Sequence, residues 1–289
     1  MMRHDGLLLI LWVLPNAIIH SVSRVYKVDI HHHHVSLMAM KAIFITGTAG
    51  SGKSLLTSRL LQWYRDNSAY PVALNLDPGA ISLPYEPDVD VRNYVDIATL
   101  MESYGLGPNG SLIMASDIIA TKLEEIQKEV DELNPDYLIV DTPGQIELFA
   151  FRASGPYFAV NLHADNKATI FAFDGMLVSS PINFVSISLL ALSVKLRLNM
   201  AQINVLTKRD LVIDKLKDIM DWAGSSMALE HVLNSEKDAE YSLLTKDLAR
   251  SISKGGFAQS LLAVSSITLS GMVNLAAALA RTLNQGEDI

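Results

Sequence analysis

The stretch Lys41-Ala-Ile-Phe-Ile-Thr46-Gly47-Thr48-Ala49-Gly50-Ser51-Gly52-Lys53-Ser54 decides how this chain is read. An apolar run of strand length ends in G-x-x-x-x-G-K-S and passes straight into the helical segment Leu55–Arg65. Gly47, Gly50 and Gly52 let the backbone turn inward without Cβ clashes, so that consecutive N–H groups and the N-terminus of the next helix converge on one point. Phosphate oxygens suit that point. Lys53 then reaches the β- and γ-phosphates as a point charge and the Ser54 hydroxyl ligates Mg²⁺, with Ser51 and Leu55 inside the same phosphate-binding run. The spacing predicts a nucleoside triphosphate site. A glycine-rich turn that binds nothing would need neither the strand before it nor the helix after it.

Outward from this loop, apolar runs of strand length recur at Ala42–Thr46, Val72–Leu76, Tyr137–Val140, Thr169–Phe173, Gln202–Leu206 and Leu261–Val264. Their continuity, without polar alternation, is the mark of parallel strands covered by helices on both faces. Helical stretches fall between them at Lys53–Asn67, Leu112–Leu133, Ile182–Leu198, Asp214–Ala223, Glu240–Ser253 and Gly271–Leu283. The expected fold is an α/β, three-layer, doubly wound and mainly parallel sheet of the P-loop NTPase type, with ligands at the carboxyl ends of its strands. Within it, Phe184, Ile187, Leu190, Ala191, Val194 and Leu198 recur at helical spacing, which predicts a core stripe with part of it at a dimer seam.

At 289 residues, 49% of them hydrophobic, the chain can bury one large core, and no second domain boundary stands out. A net charge of −8 argues against a nucleic-acid-binding surface, and the absence of cysteine excludes disulfides and thiolate metal sites. Residues 6–19 are apolar after Arg3 and resemble a signal-peptide core, but they are too short and too broken by Pro15 to span a membrane. Residues 1–37 are expected to be an upstream extension, vector-derived or left by a mis-set start codon, with Met38 or Met40 as the working start and 38–289 as the single functional domain. The run His31–His34 has nothing nearby to complete a metal site, and His163 and His231 have no ligand-spaced partner. These features predict a cytoplasmic enzyme that neither enters a membrane nor binds nucleic acid directly.

Downstream, Leu138-Ile139-Val140-Asp141-Thr142-Pro143-Gly144-Gln145 places an acid at the end of a buried strand, then a turn and a glutamine. Asp141 can hold a water on Mg²⁺, Gly144 can give its N–H to a γ-phosphate, and Gln145 lies where an attacking water is oriented, with Glu147 a further polar candidate. Asn75-Leu76-Asp77-Pro78 supplies a second acid just past a strand, a candidate metal contact or γ-phosphate sensor. Thr207-Lys208-Arg209-Asp210 closes another buried strand. The Asp210 carboxylate there can accept from guanine N1–H and the 2-amino group, which adenine does not offer, and the Lys208 stem can cover one face of the base. Ser265 and Ser266, after the final strand, can close on the base from the other side, largely through backbone N–H groups.

One further marker is Leu106-Gly107-Pro108-Asn109-Gly110, lying between Asp77-Pro78 and Asp141–Gln145. With it the chain resembles the GPN-loop GTPases over residues 40–284, the motifs appearing in family order. The resemblance implies a Mg²⁺-dependent homodimer that turns GTP into GDP and phosphate, with Gly107-Pro108-Asn109 reaching the partner's phosphates and Asn109 acting on the reaction there. In eukaryotic relatives it implies protein clients such as RNA polymerase assembly intermediates. The chain departs from the family's usual pattern at Gly79, Thr207 and Ser266, where Ala, Asn and Ala are common, and none of these removes a charged group. The wider P-loop class often carries an extra early lysine that acts across a dimer. Here that position is Thr48-Ala49-Gly50, which leaves the Gly-Pro-Asn loop as the element acting in trans. A P-loop kinase would share residues 47–54 without needing Gln145 or Asp210, and a GTP-holding scaffold would need no hydrolysis; both are alternatives to the hydrolytic switch.

Overall fold

The computed structural model describes residues 40–234, 245, 247–251 and 261–284. The expectations for residues 1–37 and for His31–His34 lie outside these, as does most of the helix expected at 240–253. Among the described residues seven strands make one sheet: β1 (Lys41–Gly47), β2 (Pro71–Asn75), β3 (Val89–Asp90), β4 (Tyr137–Asp141), β5 (Asn166–Asp174), β6 (Ala201–Thr207) and β7 (Leu261–Ala263). Their order is β3-β2-β4-β1-β5-β6-β7, and every neighbouring pair is parallel. Six of them are the apolar runs predicted from sequence. The seventh, β3, is two residues long and too short to show in a pattern.

Because successive side chains of a strand point to opposite faces, each strand feeds two cores. Ala42 and Phe44 of β1, Val72 and Leu74 of β2, and Phe171 and Phe173 of β5 face one layer. Ile43 and Ile45, Ala73, and Ala168 and Ile170 face the other. The second layer is closed by α1 (Lys53–Asp66), through Leu56, Leu60, Leu61 and Tyr64, and by the C-terminal helix Met272–Asn284, through Leu275, Leu279 and Leu283. The expected three-layer arrangement is the observed one.

The first layer holds the other helices: α2 (Ile97–Tyr104), α3 (Pro108–Thr121), α4 (Leu123–Leu133), α5 (Ser154–Asn161), α6 (Pro181–Leu198), α7 (Ile213–Gly224) and α8 (Ser226–Asn234); the C-terminal helix is α9. The helix expected over Leu112–Leu133 is two helices. It begins four residues early, because Pro108 takes the first helical position after the extended Gly107. It breaks at Lys122, while Ala115, Ile119, Leu123, Ile126 and Val130 stay buried on one stripe across the break. An unbroken stripe hides such a break from periodicity. On α6, Phe184, Ala191, Val194 and Leu198 are buried as expected, whereas Ile187 and Leu190 are only partly covered. By length and composition α6 could cross a membrane, with mean hydropathy 1.4, and 33% of it is buried here; its inner face packs on the core containing β5 and β6.

Candidate functional site

Every motif except Gly107-Pro108-Asn109 follows the carboxyl end of a strand, and the parallel order brings those ends to one edge of the sheet. The phosphate-binding run leaves β1 at Gly47, whose φ is +143° and where a Cβ would sit 2.7 Å from the Ala172 carbonyl oxygen of the paired strand. Gly52, at φ +85°, caps α1 in the left-handed region. Inside this turn Lys53 is 5% exposed, and its Nζ donates to the carbonyls of Gly47 at 3.2 Å and Thr48 at 3.0 Å. Burial pulls the Lys53 ammonium below its ordinary pKa, against the opposing pull of Asp141 and Asp77. Ser51 N–H donates to the Thr48 carbonyl, which closes the loop on itself. Ser54 and Leu55 are half-buried in the first turn of α1.

Asp141 ends β4 beside this lysine, 1% exposed. Burial pushes its carboxyl up to about 6, while the Ser54 hydroxyl, the Tyr85 hydroxyl and Lys53 hold it down from a higher value. The Tyr85 hydroxyl donates to Oδ2 at 2.9 Å. The other oxygen, Oδ1, is buried and accepts no hydrogen bond of good geometry, although the Ser54 hydroxyl acts on the same carboxylate from close by. An ionisable group with one buried, unengaged oxygen beside a hydroxyl and an ammonium is suited to a hydrated cation. No cluster of three or more His, Asp or Glu occurs among the described residues. A cation here would therefore rely on few protein ligands plus phosphate oxygens, which is the habit of Mg²⁺.

Asp77 joins the same group from the end of β2. Its Oδ2 accepts the Gly144 N–H at 3.0 Å and its Oδ1 accepts the Gly79 N–H at 2.9 Å. The N–H that the sequence assigns to a γ-phosphate is thus bonded to Asp77, and the two loops are held to each other. Asn75 steadies this turn, accepting Asp77 N–H at 3.0 Å and donating to Asp90 at 2.9 Å. Asp90 is in turn clamped by Arg92, which also donates to the Ala80 carbonyl at 2.9 Å. Gln145 and Glu147 are exposed, Glu147 opening a π-helical turn over Glu147–Phe151.

The residues expected from sequence to read the base gather after the ends of β6 and β7. Thr207 is buried, its hydroxyl 2.7 Å from the Ser51 carbonyl oxygen and 2.9 Å from that of Phe173, so it ties the phosphate loop to β6. Lys208, at φ +56°, pairs its ammonium with Asp174 at 2.7 Å. Asp210 is half-buried and accepts the Ser265 hydroxyl at 2.5 Å. Ser265 differs from the expectation: its N–H is taken by the Ser270 carbonyl in the turn after β7, and its side chain does the work. The Ser266 carbonyl accepts from Arg59 of α1 at 2.8 Å.

Gly107, Pro108 and Asn109 are exposed at the start of α3, directly after Gly105 closes α2 in the left-handed region. The tripeptide is a helical first turn and not a free loop. It stands near the Asp77 turn, since a Cβ on Gly79 would meet Leu112 of α3 at 2.9 Å. Tyr85, Asp90 and Arg92 border this group and were missed by the motif reading, while Asn75 was seen there only as the start of the Asp77 motif. The stretch Pro84-Tyr-Glu-Pro-Asp-Val-Asp-Val-Arg92, dense in proline and acids, was the available signal.

A family model described as "Conserved hypothetical ATP binding protein" matches residues 45–285. The GPN-loop GTPase PAB0955 of Pyrococcus abyssi is 36% identical over 182 residues, covering 62% of this chain and 71% of that protein. Its crystal structure, described as a GTPase in apo form, superposes with a TM-score of 0.75 at 27% identity, covering 84% of this chain and 97% of that one. GPN-loop GTPase QQT2 of Arabidopsis thaliana is 33% identical over 215 residues, 72% of this chain and 54% of that protein. The chain spans about half the length of that relative and of GPN-loop GTPase 1 of Saccharomyces cerevisiae. The family description names ATP, whereas the relatives are named as GTPases.

Proposed function

This chain belongs to the GPN-loop GTPase family, and from that membership we propose that it hydrolyses GTP to GDP and phosphate with Mg²⁺, as a homodimeric conformational switch. The observation that carries the reading is the meeting of Lys53, Asp77 and Asp141 in one group at the carboxyl ends of β1, β2 and β4. In the proposed reaction a water oxygen attacks the γ-phosphorus, the bond from that phosphorus to the β,γ-bridging oxygen breaks, and GDP leaves with the electron pair. Lys53 exchanges its Gly47 and Thr48 carbonyls for β- and γ-phosphate oxygens. Gln145 orients the water, with Glu147 at hand to support it, and the Gly144 N–H moves between Asp77 and the γ-phosphate. Ser54 and Asp141 hold the cation, with Asp77 in reach; when bound, Mg²⁺ neutralises charge developing on the phosphate oxygens. Asp210, steadied by Ser265 and flanked by Lys208, selects guanine.

The dimer supplies Gly107-Pro108-Asn109 of each subunit to the phosphates of the other. The setting is cytoplasmic, without membrane or direct nucleic-acid contact, and the switch acts on a protein client of the RNA polymerase assembly type. Affinity capture with and without a non-hydrolysable GTP analogue identifies that client. The reaction itself is tested by phosphate release from GTP and from ATP with no acceptor present. Release from GTP alone, lost in EDTA and in Lys53→Ala, supports the reading. A requirement for an acceptor would replace it with a kinase, and GTP retained uncleaved would replace it with a scaffold.

A further inference from the structure

The connection between β2 and β3 crosses the site with one side chain that the proposed reaction leaves unused. Tyr85 rests its ring against the core layer that contains Leu61 and Tyr64 of α1, while its hydroxyl reaches Asp141 Oδ2 at 2.9 Å. The backbone that carries it is pinned on both sides. Upstream, the Ser58 hydroxyl of α1 donates to the Pro84 carbonyl at 3.1 Å. Downstream, Asp88 and Ala73 of β2 exchange two hydrogen bonds, the Asp88 N–H to the Ala73 carbonyl at 3.0 Å and the Ala73 N–H to the Asp88 carboxylate at 2.8 Å. Asp90, held by Asn75 and Arg92, fixes the strand that follows. Two prolines, Pro84 and Pro87, restrict the backbone between these anchors. A tyrosine mounted this firmly is not a surface ornament of its loop.

A carboxylate turns easily about its last torsion. Asp141 has one oxygen engaged by Tyr85 and one buried oxygen, Oδ1, without a hydrogen bond of good geometry. Ser54 and Lys53 also act on this carboxylate, but the Tyr85 hydroxyl makes its well-formed hydrogen bond and so biases which oxygen is held and which is left for the cation. We propose that Tyr85 is a positioning residue that fixes the Asp141 carboxylate through Oδ2, leaves Oδ1 for the water shell of the nucleotide's divalent cation, and thereby sets the cation affinity of the site. This rests on the proposed Mg²⁺-dependent reading. Groups that orient a metal-binding residue from behind are typically worth about 10–100-fold in metal affinity or activity.

The test is release of a fluorescent GDP analogue from the purified full chain, followed across a Mg²⁺ titration, which reads cation binding without turnover. Tyr85→Phe keeps the ring and removes only the donor. The Mg²⁺ concentration giving half of the slowing is expected to rise by about tenfold or more, while release in EDTA stays within about twofold of the parent, as expected for a residue that acts only through the cation's ligand. Ser58→Ala, which frees Pro84 at a half-exposed position, shifts the midpoint in the same direction by less. In an Asp141→Asn background, Tyr85→Phe adds no further shift. An unchanged midpoint in Tyr85→Phe, or equal acceleration with and without Mg²⁺, overturns the role of Tyr85 while leaving the functional reading in place. A parent protein whose GDP release ignores Mg²⁺ overturns both.

Discussion

Asp77 and Gly144 are 67 positions apart, yet the Asp77 carboxylate accepts the Gly144 N–H at 3.0 Å, joining the turn after β2 to the turn after β4. The two turns flank the same γ-phosphate position in the proposed reaction, so one hydrogen bond couples what would otherwise be separate loops. A charge-assisted bond of this kind contributes about 1.5–3 kcal/mol.

Asp77→Ala removes the bonds to Gly144 and Gly79 together and frees both turns. GDP, which lacks the γ-phosphate, should bind within a few-fold of the parent, whereas turnover should fall by about 10²–10³, the usual cost of misplacing a group aimed at the transition state. Paired GDP titrations and single-turnover rates separate the two effects. A variant turning over within tenfold of the parent would show that the coupling is idle in the reaction.

Asp141 makes the fold pH-sensitive in a defined direction. Burial raises its pKa from 3.8 to about 6, so between those values the folded chain holds a proton that the unfolded chain has released. Stability therefore falls as pH rises through that window and is level above it, where the charged carboxylate costs on the order of 3 kcal/mol. Asp141→Asn keeps an acceptor for Tyr85 and carries no charge. Without added metal, its melting temperature should match the parent's near pH 4 and exceed it by several degrees at pH 7. Mg²⁺ with GDP should reverse the order at pH 7, because only the carboxylate gains from the cation. Parallel melting curves at both pH values would refute the assignment.

Six strands were readable because strands buried on both faces must be continuously apolar, whatever else the chain does. The phosphate loop was legible from its glycine, lysine and serine spacing, and Asp141 and Asp210 stand along the same edge because parallel strands deliver their carboxyl ends there. Tyr85 was not readable: its role depends on a connection folding back over α1 until a hydroxyl meets a carboxylate 56 positions away. Ser265 was half readable. Its place after the last strand is a matter of order, but only the turn that occupies its N–H leaves the hydroxyl to hold Asp210. The start of α3 at Pro108 was missed for a local reason, since Gly-Pro-Asn-Gly is turn chemistry unless the proline falls at the first helical position.

In the proposed reading, base selection rests on Asp210 as Ser265 holds it. Asp210→Asn presents a partial donor where guanine N1–H needs an acceptor, and it suits the 2-oxo group of xanthine. Competition between GTP and xanthosine triphosphate should reverse, because sites built on buried hydrogen bonds discriminate by factors of about 10⁴ at best. Ser265→Ala leaves the carboxylate but frees it, and should weaken GTP by about tenfold, the typical worth of a hydrogen bond to a charged group, without favouring the xanthine nucleotide. Equal competition by GTP and ATP in the parent would remove Asp210 from the base-reading role.

Asn109 stands exposed in the first turn of α3, at the surface and not folded into its own chain's core. The proposed dimer gives it a target: the phosphates held by Lys53 of the other subunit. A polar group aimed at the transition state is typically worth about 10²–10³ in rate, so Asn109→Ala should slow turnover more than it weakens GTP binding. The geometry is decided by mixing defects. A Lys53→Ala subunit is paired with an Asn109→Ala subunit, each carrying its own affinity tag, and the heterodimer is purified through both. If Asn109 works in trans, one composite site combines an intact Lys53 with an intact Asn109, and about half of the parent activity returns, since one site of two is whole. If it works in cis, each site carries one defect and activity stays at or below that of the Asn109→Ala homodimer. The second result would confine the Gly-Pro-Asn turn to its own subunit and remove the reason for the dimer in the reaction.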